Sequence, residues 1–344
     1  MIPRRNYSQT VSGHCTVTKQ KVIMKSKLII LNIVLLFLNT SIVAQNLFNL
    51  GTTDSLHLTG IDIDLKNQIA YFGAPNNQEI VKYDLKTKKW NYIKTKYSNQ
   101  LNPVGVHFKN DLLYVTMNQN TSENQISAFV VIDTKTNKLI RQYETKPTNK
   151  RNQFYHIAVD NKGIAYISNI HKSSIYTVNT LDESDSLKVF INDESLGWIH
   201  GIDISDDQSK LFITGYVGGI QIYDLNKKAL LPLIDTVKSD NDQIKYHKGS
   251  LYALGGNFFK KYSLNSNETD VVKVDTLIAN HSYFNDPRHF VIQNDIAHIL
   301  TNNGFKPFDY RNGRFSRKDT LTDSYILKYN LHSSKKNTPI KKVF

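Results

Sequence analysis

Cysteine is almost missing from this 344-residue chain, and the one thiol, Cys15, stands within the first two dozen residues. Disulfides, thiolate metal sites and cysteine nucleophiles are thereby excluded from the rest of the chain. There is no sustained apolar period of 3.6 residues, which argues against amphipathic helices. The nucleophile elbow, the Walker loop and the HExxH pair are all missing. Ser, His and Asp occur throughout, but no spacing singles out a triad. Acid is in deficit as well, with 43 Lys and Arg against 30 Asp and Glu, a formal charge of +13. Six of those bases and no acid lie in Met1–Ala44, which leaves about +7 for the remainder. Its lysines sit in turns such as Lys86-Thr87-Lys88-Lys89 and Lys227-Lys228, with acids between them. No basic groove interleaved with stacking aromatics appears, so a nucleic-acid partner is not expected.

The N-terminal end reads as a targeting segment. Lys25 and Lys27 form a basic head, Leu28 to Leu38 is an apolar run interrupted by Asn32, and small or branched residues lead to Ala44 before Gln45. That is the pattern of a secretory signal over residues 24–44. The run is short for a membrane span, and an uncleaved anchor is the alternative. Residues 1–23 read as a non-native or disordered prelude, with Met24 the better start. No cysteine near the cleavage point offers itself for lipid attachment. A bacterial protein released to the periplasm or outside the cell is expected, as a monomer with no membrane span after cleavage.

An apolar phrase recurs six times after this segment: Thr59-Gly60-Ile61-Asp62-Ile63-Asp64, Val104-Gly105-Val106-His107-Phe108, Tyr155-His156-Ile157-Ala158-Val159-Asp160, His200-Gly201-Ile202-Asp203-Ile204-Ser205, Asp242-Gln243-Ile244-Lys245-Tyr246 and Arg288-His289-Phe290-Val291-Ile292. From Gly60 through Gly105, His156, Gly201 and Gln243 to His289 the steps are 45, 51, 45, 42 and 46 residues. Such a period marks a repeat architecture. Each unit continues with a second run such as Lys210 to Thr214, a third such as Ile220 to Asp224, and a fourth such as Lys89 to Ile93, separated by Asn, Asp and Gly turns. Four short β-prone runs make one antiparallel blade. An isolated blade would leave two apolar faces wet, so the blades pack radially, and residues 45–344 are expected to form a single all-β, six-bladed β-propeller.

A ring needs its last blade joined to its first. Asn46 to Leu50 is the candidate joining strand, laid beside Ile296–Thr301, Tyr325–Asn330 and a candidate last run at Ile340–Phe344. The longest loops run from Asn118 to Gln125 and from Asn302 to Asp323, and long loops on a rigid scaffold are where function is usually carried. Disorder is the alternative for residues 311–322.

The entry to each inner strand and the loop between second and third strands open on one face of a propeller. The aligned entry position holds Thr59, Val104, Tyr155, His200, Asp242 and Arg288. Two residues upstream stand His57, Asn102, Gln153, Trp198, Asp240 and Asp286. The loops add Asn76, Asn118, Asn169, His171, Tyr216, Asn257 and Asn302. His156 and His289 replace the glycine of other blades and project to the channel or serve as satisfied core histidines. This ring of amides, imidazoles, aromatics and a guanidinium suits a small polar or anionic ligand, a glycan or a protein partner. Thr59, Asn102, Tyr155, His156, Trp198, His200, Asp242, Arg288 and His289 are the candidate ligand-binding residues. A structural role for each is the competing reading, since strand ends need polar groups to satisfy free backbone. A deeper column, Asp62, His107, Ala158, Asp203, Lys245 and Val291, carries charge that is costly unless paired, and inter-blade hydrogen bonds are expected there.

Phe129 to Lys138 resembles the third-to-fourth strand hairpin of YVTN repeats, and His200 to Thr214 is similar to the first two strands of YVTN and NHL-type repeats. The likeness spans most of residues 46–344 and concerns the scaffold. Six blades behind a signal peptide also resemble the gluconolactonase and senescence-marker-protein family, six-bladed lactone or ester hydrolases with a channel calcium. That resemblance implies a hydrolase, with calcium or another divalent cation as cofactor and His200, Tyr155, Asp242 and Arg288 as candidate general base, acid and anion clamp. The family's acidic and amide ligand positions correspond here to Thr59, Val104, Tyr155 and His200, with only Asp242 matching, and a hard cation needs several oxygens. No metal ligand is assigned from the sequence.

Overall fold

The computed structural model describes residues 47–51, 56–119, 125–148, 151–215, 219–231, 241–284, 287, 289–301, 308–309, 314–315 and 323–332. The first strand among the described residues is β1 (Leu47–Gly51). Blade 1 is β2 (Thr59–Asp64), β3 (Ile69–Ala74), β4 (Glu79–Asp84) and β5 (Lys89–Ile93); blade 2 is β6 (Asn102–Lys109), β7 (Leu112–Asn118), β8 (Ser127–Asp133) and β9 (Lys138–Glu144). Blade 3 is β10 (Phe154–Val159), β11 (Ile164–Asn169), β12 (Ser174–Asn179) and β13 (Lys188–Asn192); blade 4 is β14 (Ile199–Ile204), β15 (Lys210–Gly215), β16 (Gly219–Asp224) and β17 (Ala229–Leu230). Blade 5 is β18 (Gln243–His247), β19 (Ser250–Gly255), β20 (Phe258–Leu264) and β21 (Val271–Ala279). In blade 6, β22 (His289–Gln293) and β23 (Ile296–Thr301) are followed by a short hairpin, β24 (Phe308–Asp309) with β25 (Arg314–Phe315), and then β26 (Ser324–Asn330). The fourth place in that sheet is taken by β1, in the order β1-β26-β23-β22. The ring is thus closed by β1, as a propeller without an open edge requires. Residues 340–344, the candidate last run, lie outside the described residues, as do residues 1–46.

Period-two alternation is what makes each blade a two-sided wall. In β3, Ala70, Phe72 and Ala74 face a cluster shared with Leu300 and Ile326 of blade 6, while Tyr71 between them joins Leu113 and Val115 of blade 2. In β15, Leu211 and Ile213 pack toward Ala158 and Tyr166 of blade 3, and Phe212 packs toward Ile244 and Leu251 of blade 5. Tyr114 and Phe129 of blade 2 meet Phe154 and Ile157 of blade 3. Blades 5 and 6 are joined through Phe259, whose ring lies 5.2 Å from Phe290 and 5.9 Å from Tyr329. Each such Leu, Ile, Val or Phe side chain, fully buried, is worth about 1.5–3 kcal/mol relative to exposure.

The hairpin between third and fourth strands is built alike in three blades. Asp84 accepts from the Lys86 and Thr87 amides (2.8 Å each), Asp133 from Lys135 and Thr136 (2.9 and 2.8 Å), and Asp224 from Asn226 and Lys227 (3.0 and 2.9 Å). These bonds hold the three carboxyls below the usual carboxylate range. Among the described residues the only helical element is a 3-10 turn at Glu194–Leu196, and no helix is long and apolar enough to cross a membrane.

Candidate functional site

The inner strands of blades 1 to 4 begin with a register shift, between Thr59 and Asp62, Pro103 and Val106, Phe154 and Ile157, and Ile199 and Gly201. Those of blades 5 and 6 pair regularly. A bulge leaves a backbone amide outside the ladder and re-aims the neighbouring side chains. Here hydroxyls of the second strands collect the freed amides. The Gly105 amide donates to Thr116 Oγ1 (2.8 Å), and that hydroxyl donates to the Tyr155 carbonyl of the next blade (2.9 Å). The His156 amide donates to Ser168 Oγ (2.9 Å), which donates on to the His200 carbonyl (3.2 Å). The aligned hydroxyls Thr116 and Ser168 make these two relays, and their shared place in the second strand is the sequence signal that would have revealed the device.

Side chains of blades 3 to 6 meet at that end of the channel. The Tyr155 ring centroid lies 4.6 Å from His156, 5.7 Å from His200 and 5.8 Å from His289, and His156 lies 5.5 Å from His289. His200 Nδ1 is 3.1 Å from Asp242 Oδ1. His156, Asp242 and His289 are buried, while Tyr155 and His200 are half-buried. Burial, then the neighbouring His289, Lys245 and His200, hold His156 well below the ordinary histidine range, so it is neutral at pH 7. Its Nε2 is buried and has no hydrogen-bond partner among the described residues. On the rim Trp198 is 53% exposed. Its ring lies 6.1 Å from that of His171, which is 2.9 Å from Gln153 Oε1 through Nε2 and is itself lowered in pKa by burial.

Other members of the sequence-derived ring are occupied by the scaffold. Thr59 is buried and donates to the Pro103 carbonyl (3.1 Å). Asn118 accepts from the Phe154 amide and donates to the Phe154 carbonyl, both at 2.8 Å. Asn76 accepts from the His57 amide (3.0 Å), and Asn169 accepts from the amides of Gln153 and His171 (3.4 and 3.1 Å). These three loop amides are therefore backbone staples rather than free ligand donors. Asn102 opens β6, half-buried, opposite Asn118. Arg288, Tyr216, Asp240, Asp286 and Asn302 lie outside the described residues.

The deeper column forms inter-blade bonds. Asp62 Oδ2 accepts from the Phe108 amide (2.8 Å) and pairs with His107 Nδ1 (3.2 Å). Three blades on, Asp203 repeats the arrangement with the Tyr246 amide (2.7 Å) and Lys245 Nζ (3.6 Å). Gln293 of blade 6 donates to the Ile63 carbonyl, and Gln243 accepts from the Phe290 amide (2.5 Å). The two glutamines carry no charge, and sequence reasoning passed over this role for them.

Among the described residues, no group of three or more His, Cys, Asp or Glu side chains is arranged to hold a metal ion. Among the described residues the mouth offers imidazoles, a phenol and one carboxylate already bonded to His200, which by themselves do not make the oxygen-rich shell a calcium ion takes. A surface cavity of about 470 Å³ opens at the opposite end of blades 4 and 5, lined by Asp206, Asp207, Lys210, Tyr246 and residues 266–268. Two of its three acids are already engaged: Tyr246 donates to Glu268, and the hydroxyls of Ser205 and Ser209 donate to Asp207 and help lower that carboxyl to about 2.

No protein-family model matches the chain, and no curated protein matches it in sequence. Solved structures share its fold. The major Malassezia sympodialis allergen Mala s 1 is 14% identical, with a TM-score of 0.62 over 82% of this chain and 95% of that one. Luciferin-regenerating enzyme is 14% identical, with a TM-score of 0.53 over 82% of this chain and 94% of that one. A chain of the mitotic checkpoint complex is 10% identical, with a TM-score of 0.52 over 76% of this chain and 74% of that one. At these identities the likeness is one of fold alone, and for Mala s 1 and luciferin-regenerating enzyme that fold is a β-propeller.

Proposed function

We propose that this chain is an exported propeller that binds a small, polar, anionic molecule, of which a sugar acid is the type, at one mouth of its channel. The observation that carries this reading is the meeting of Tyr155, His156, His200, Asp242 and His289, from four blades, around one end of the axis. Imidazoles and a phenol can both donate and accept, which suits a ligand bearing hydroxyls and a carboxylate. Trp198, exposed on the rim, offers an apolar face on which a sugar ring can lie. Arg288, beside His289 in the sequence, is the proposed anion clamp. Export rests on the signal pattern of residues 24–44.

The His200–Asp242 pair favours a second reading. A carboxylate 3.1 Å from Nδ1 is the arrangement that orients an imidazole as a general base, and Tyr155 stands beside it as an acid. The fold shared with luciferin-regenerating enzyme accords with a lactone or ester hydrolase.

One experiment addresses both. The protein is expressed in a bacterial host with its own N-terminal segment, and the exported form is identified by its N-terminus at Gln45. Calorimetry then compares D-gluconate and D-glucuronate with neutral sugars, while acid release from sugar lactones and aryl esters is followed in parallel. Selective binding of the acids, weakened about tenfold or more by His200→Ala and by Asp242→Asn, is the expected result. Turnover lost in both variants would move the reading to the hydrolase, and neither binding nor turnover would sink both.

A further inference from the structure

In a ring of six, blades 3 and 6 stand opposite one another, and their inner strands carry His156 and His289 at the position where blades 1, 2 and 4 carry glycine and blade 5 carries Gln243. Blades 1, 2 and 4 have Gly60, Gly105 and Gly201, and a Cβ on any of them would meet backbone of the next blade, at 2.6 Å (Val104 O), 1.8 Å (Tyr155 O) and 2.6 Å (Ile244 N). The glycines let neighbouring inner strands close in, and the imidazoles of His156 and His289 meet with centroids 5.5 Å apart.

The groups facing His156 are nearly all capable of positive charge. Its own strand supplies the Tyr155 phenol, β22 supplies His289, β14 supplies His200 and β18 supplies Lys245. At this level β6 and β11 supply Gly105 and Ser168, which are uncharged. The neighbouring carboxylates are engaged elsewhere: Asp242 with His200, Asp203 with Lys245 and the Tyr246 amide, and Asp62 with His107 and the Phe108 amide. His156 Nε2 remains buried with no hydrogen-bond partner among the described residues. A buried polar atom without a partner is destabilising, so a group that meets it from the channel is favoured.

We propose that the axial imidazoles of His156 and His289 form the carboxylate subsite of the mouth, and that His156 takes up one proton from solvent as the carboxylate seats. The inference rests on the binding function proposed above and names the part of the ligand that reaches deepest. No covalent bond forms or breaks. The second imidazole proton lies between Nε2 and a carboxylate oxygen as a charge-assisted hydrogen bond, and the entering negative charge offsets the field of His289, His200 and Lys245. An anion raises the proton affinity of His156, so affinity for the anion rises as pH falls, by up to about tenfold per pH unit for one linked proton.

The test uses D-gluconate and its neutral counterpart D-glucitol on the whole protein labelled with ¹⁵N at histidine, with the His156 signals assigned by their loss in His156→Gln. Expected is a neutral His156 in the free protein that becomes an imidazolium on adding gluconate but not glucitol. The calorimetric Kd should fall by up to about tenfold per unit between about pH 8 and about pH 6. In His156→Gln, gluconate should bind more weakly and with no pH dependence. His289→Gln, matched in thermal melting to the wild type, serves where His156→Gln does not fold, and should weaken gluconate more than glucitol. Gluconate that shifts the signals of His200 and His171 while His156 stays neutral would overturn the subsite and leave the mouth as the binding site. No shift at any mouth histidine with gluconate would overturn the subsite together with the binding function on which it rests.

Discussion

A single methyl group separates a propeller residue that can change from one that cannot. Gly105 and Gly249 are both glycines of loops or inner strands, yet a Cβ on Gly105 would lie 1.8 Å from the Tyr155 carbonyl oxygen, whereas one on Gly249 meets nothing within 4 Å. Gly105→Ala is expected to cost about 3 kcal/mol or more, because two inner strands must move apart. Gly249→Ala is expected to cost about 1–2 kcal/mol, through its φ of +70° alone. Urea unfolding of the two variants checks this, and equal midpoints would contradict the close approach of blades 2 and 3. Charge follows the same logic. Asp62 and Asp203 are tolerated at depth because each meets a side-chain nitrogen, of His107 and of Lys245, and a backbone amide of the following blade.

At the scale of the element, β1 matters more than its five residues suggest. It lies against β26 as the fourth strand of blade 6, and Leu50 is buried in the cluster that joins blades 6 and 1. Leu50→Ala should therefore lower stability by about 2–4 kcal/mol, with the loss read as a lower denaturant midpoint. Leu181→Ala, on an exposed turn, should stay within about 0.5 kcal/mol of the wild type. If both variants unfold alike, the closure by β1 is not what holds the ring. The Asp-headed hairpins of blades 1, 2 and 4 follow from local chemistry, since each carboxylate binds the two amides just after it and needs no distant partner.

Over the whole molecule, buried histidines set how the ring responds to acid. His298, in the second strand of blade 6, is lowered from 6.5 to about 4, first by burial and then by Lys328. The folded value lies below the unfolded one, so the unfolded chain takes the proton first. The contribution is complete above about pH 6.5 and is lost as the pH falls toward about 4, amounting to about 3 kcal/mol for this one group. His298→Gln should flatten the fall in melting temperature across that window, leaving the neutral-pH value less affected than the acid one. A wild-type melting temperature that does not change between the two pH values would show that His298 is not held neutral. His156 is shifted in the same direction by burial and adds to the same acid limb.

The amino-acid order alone determined that this chain builds six four-stranded blades. Period-two apolar runs, turn residues and a spacing near 45 are local signals, and each inner-strand phrase from Thr59 to Ile292 lies on or beside an observed strand. The use of Asn46 to Leu50 for closure followed from the need to leave no edge. What only the tertiary structure decided is which polar residues of the aligned ring meet one another. Thr59 shares the entry position of Tyr155, His200 and Asp242, and Asn76, Asn118 and Asn169 come from the loops expected on the same face, but these four bond to backbone while Tyr155, His200 and Asp242 converge. Alignment gives the height of a residue along the channel. Its direction depends on the bulge at the strand entry and on whether the next blade presents a carbonyl, an amide or open space, and those are relations between blades some 45 residues apart, which no local pattern encodes.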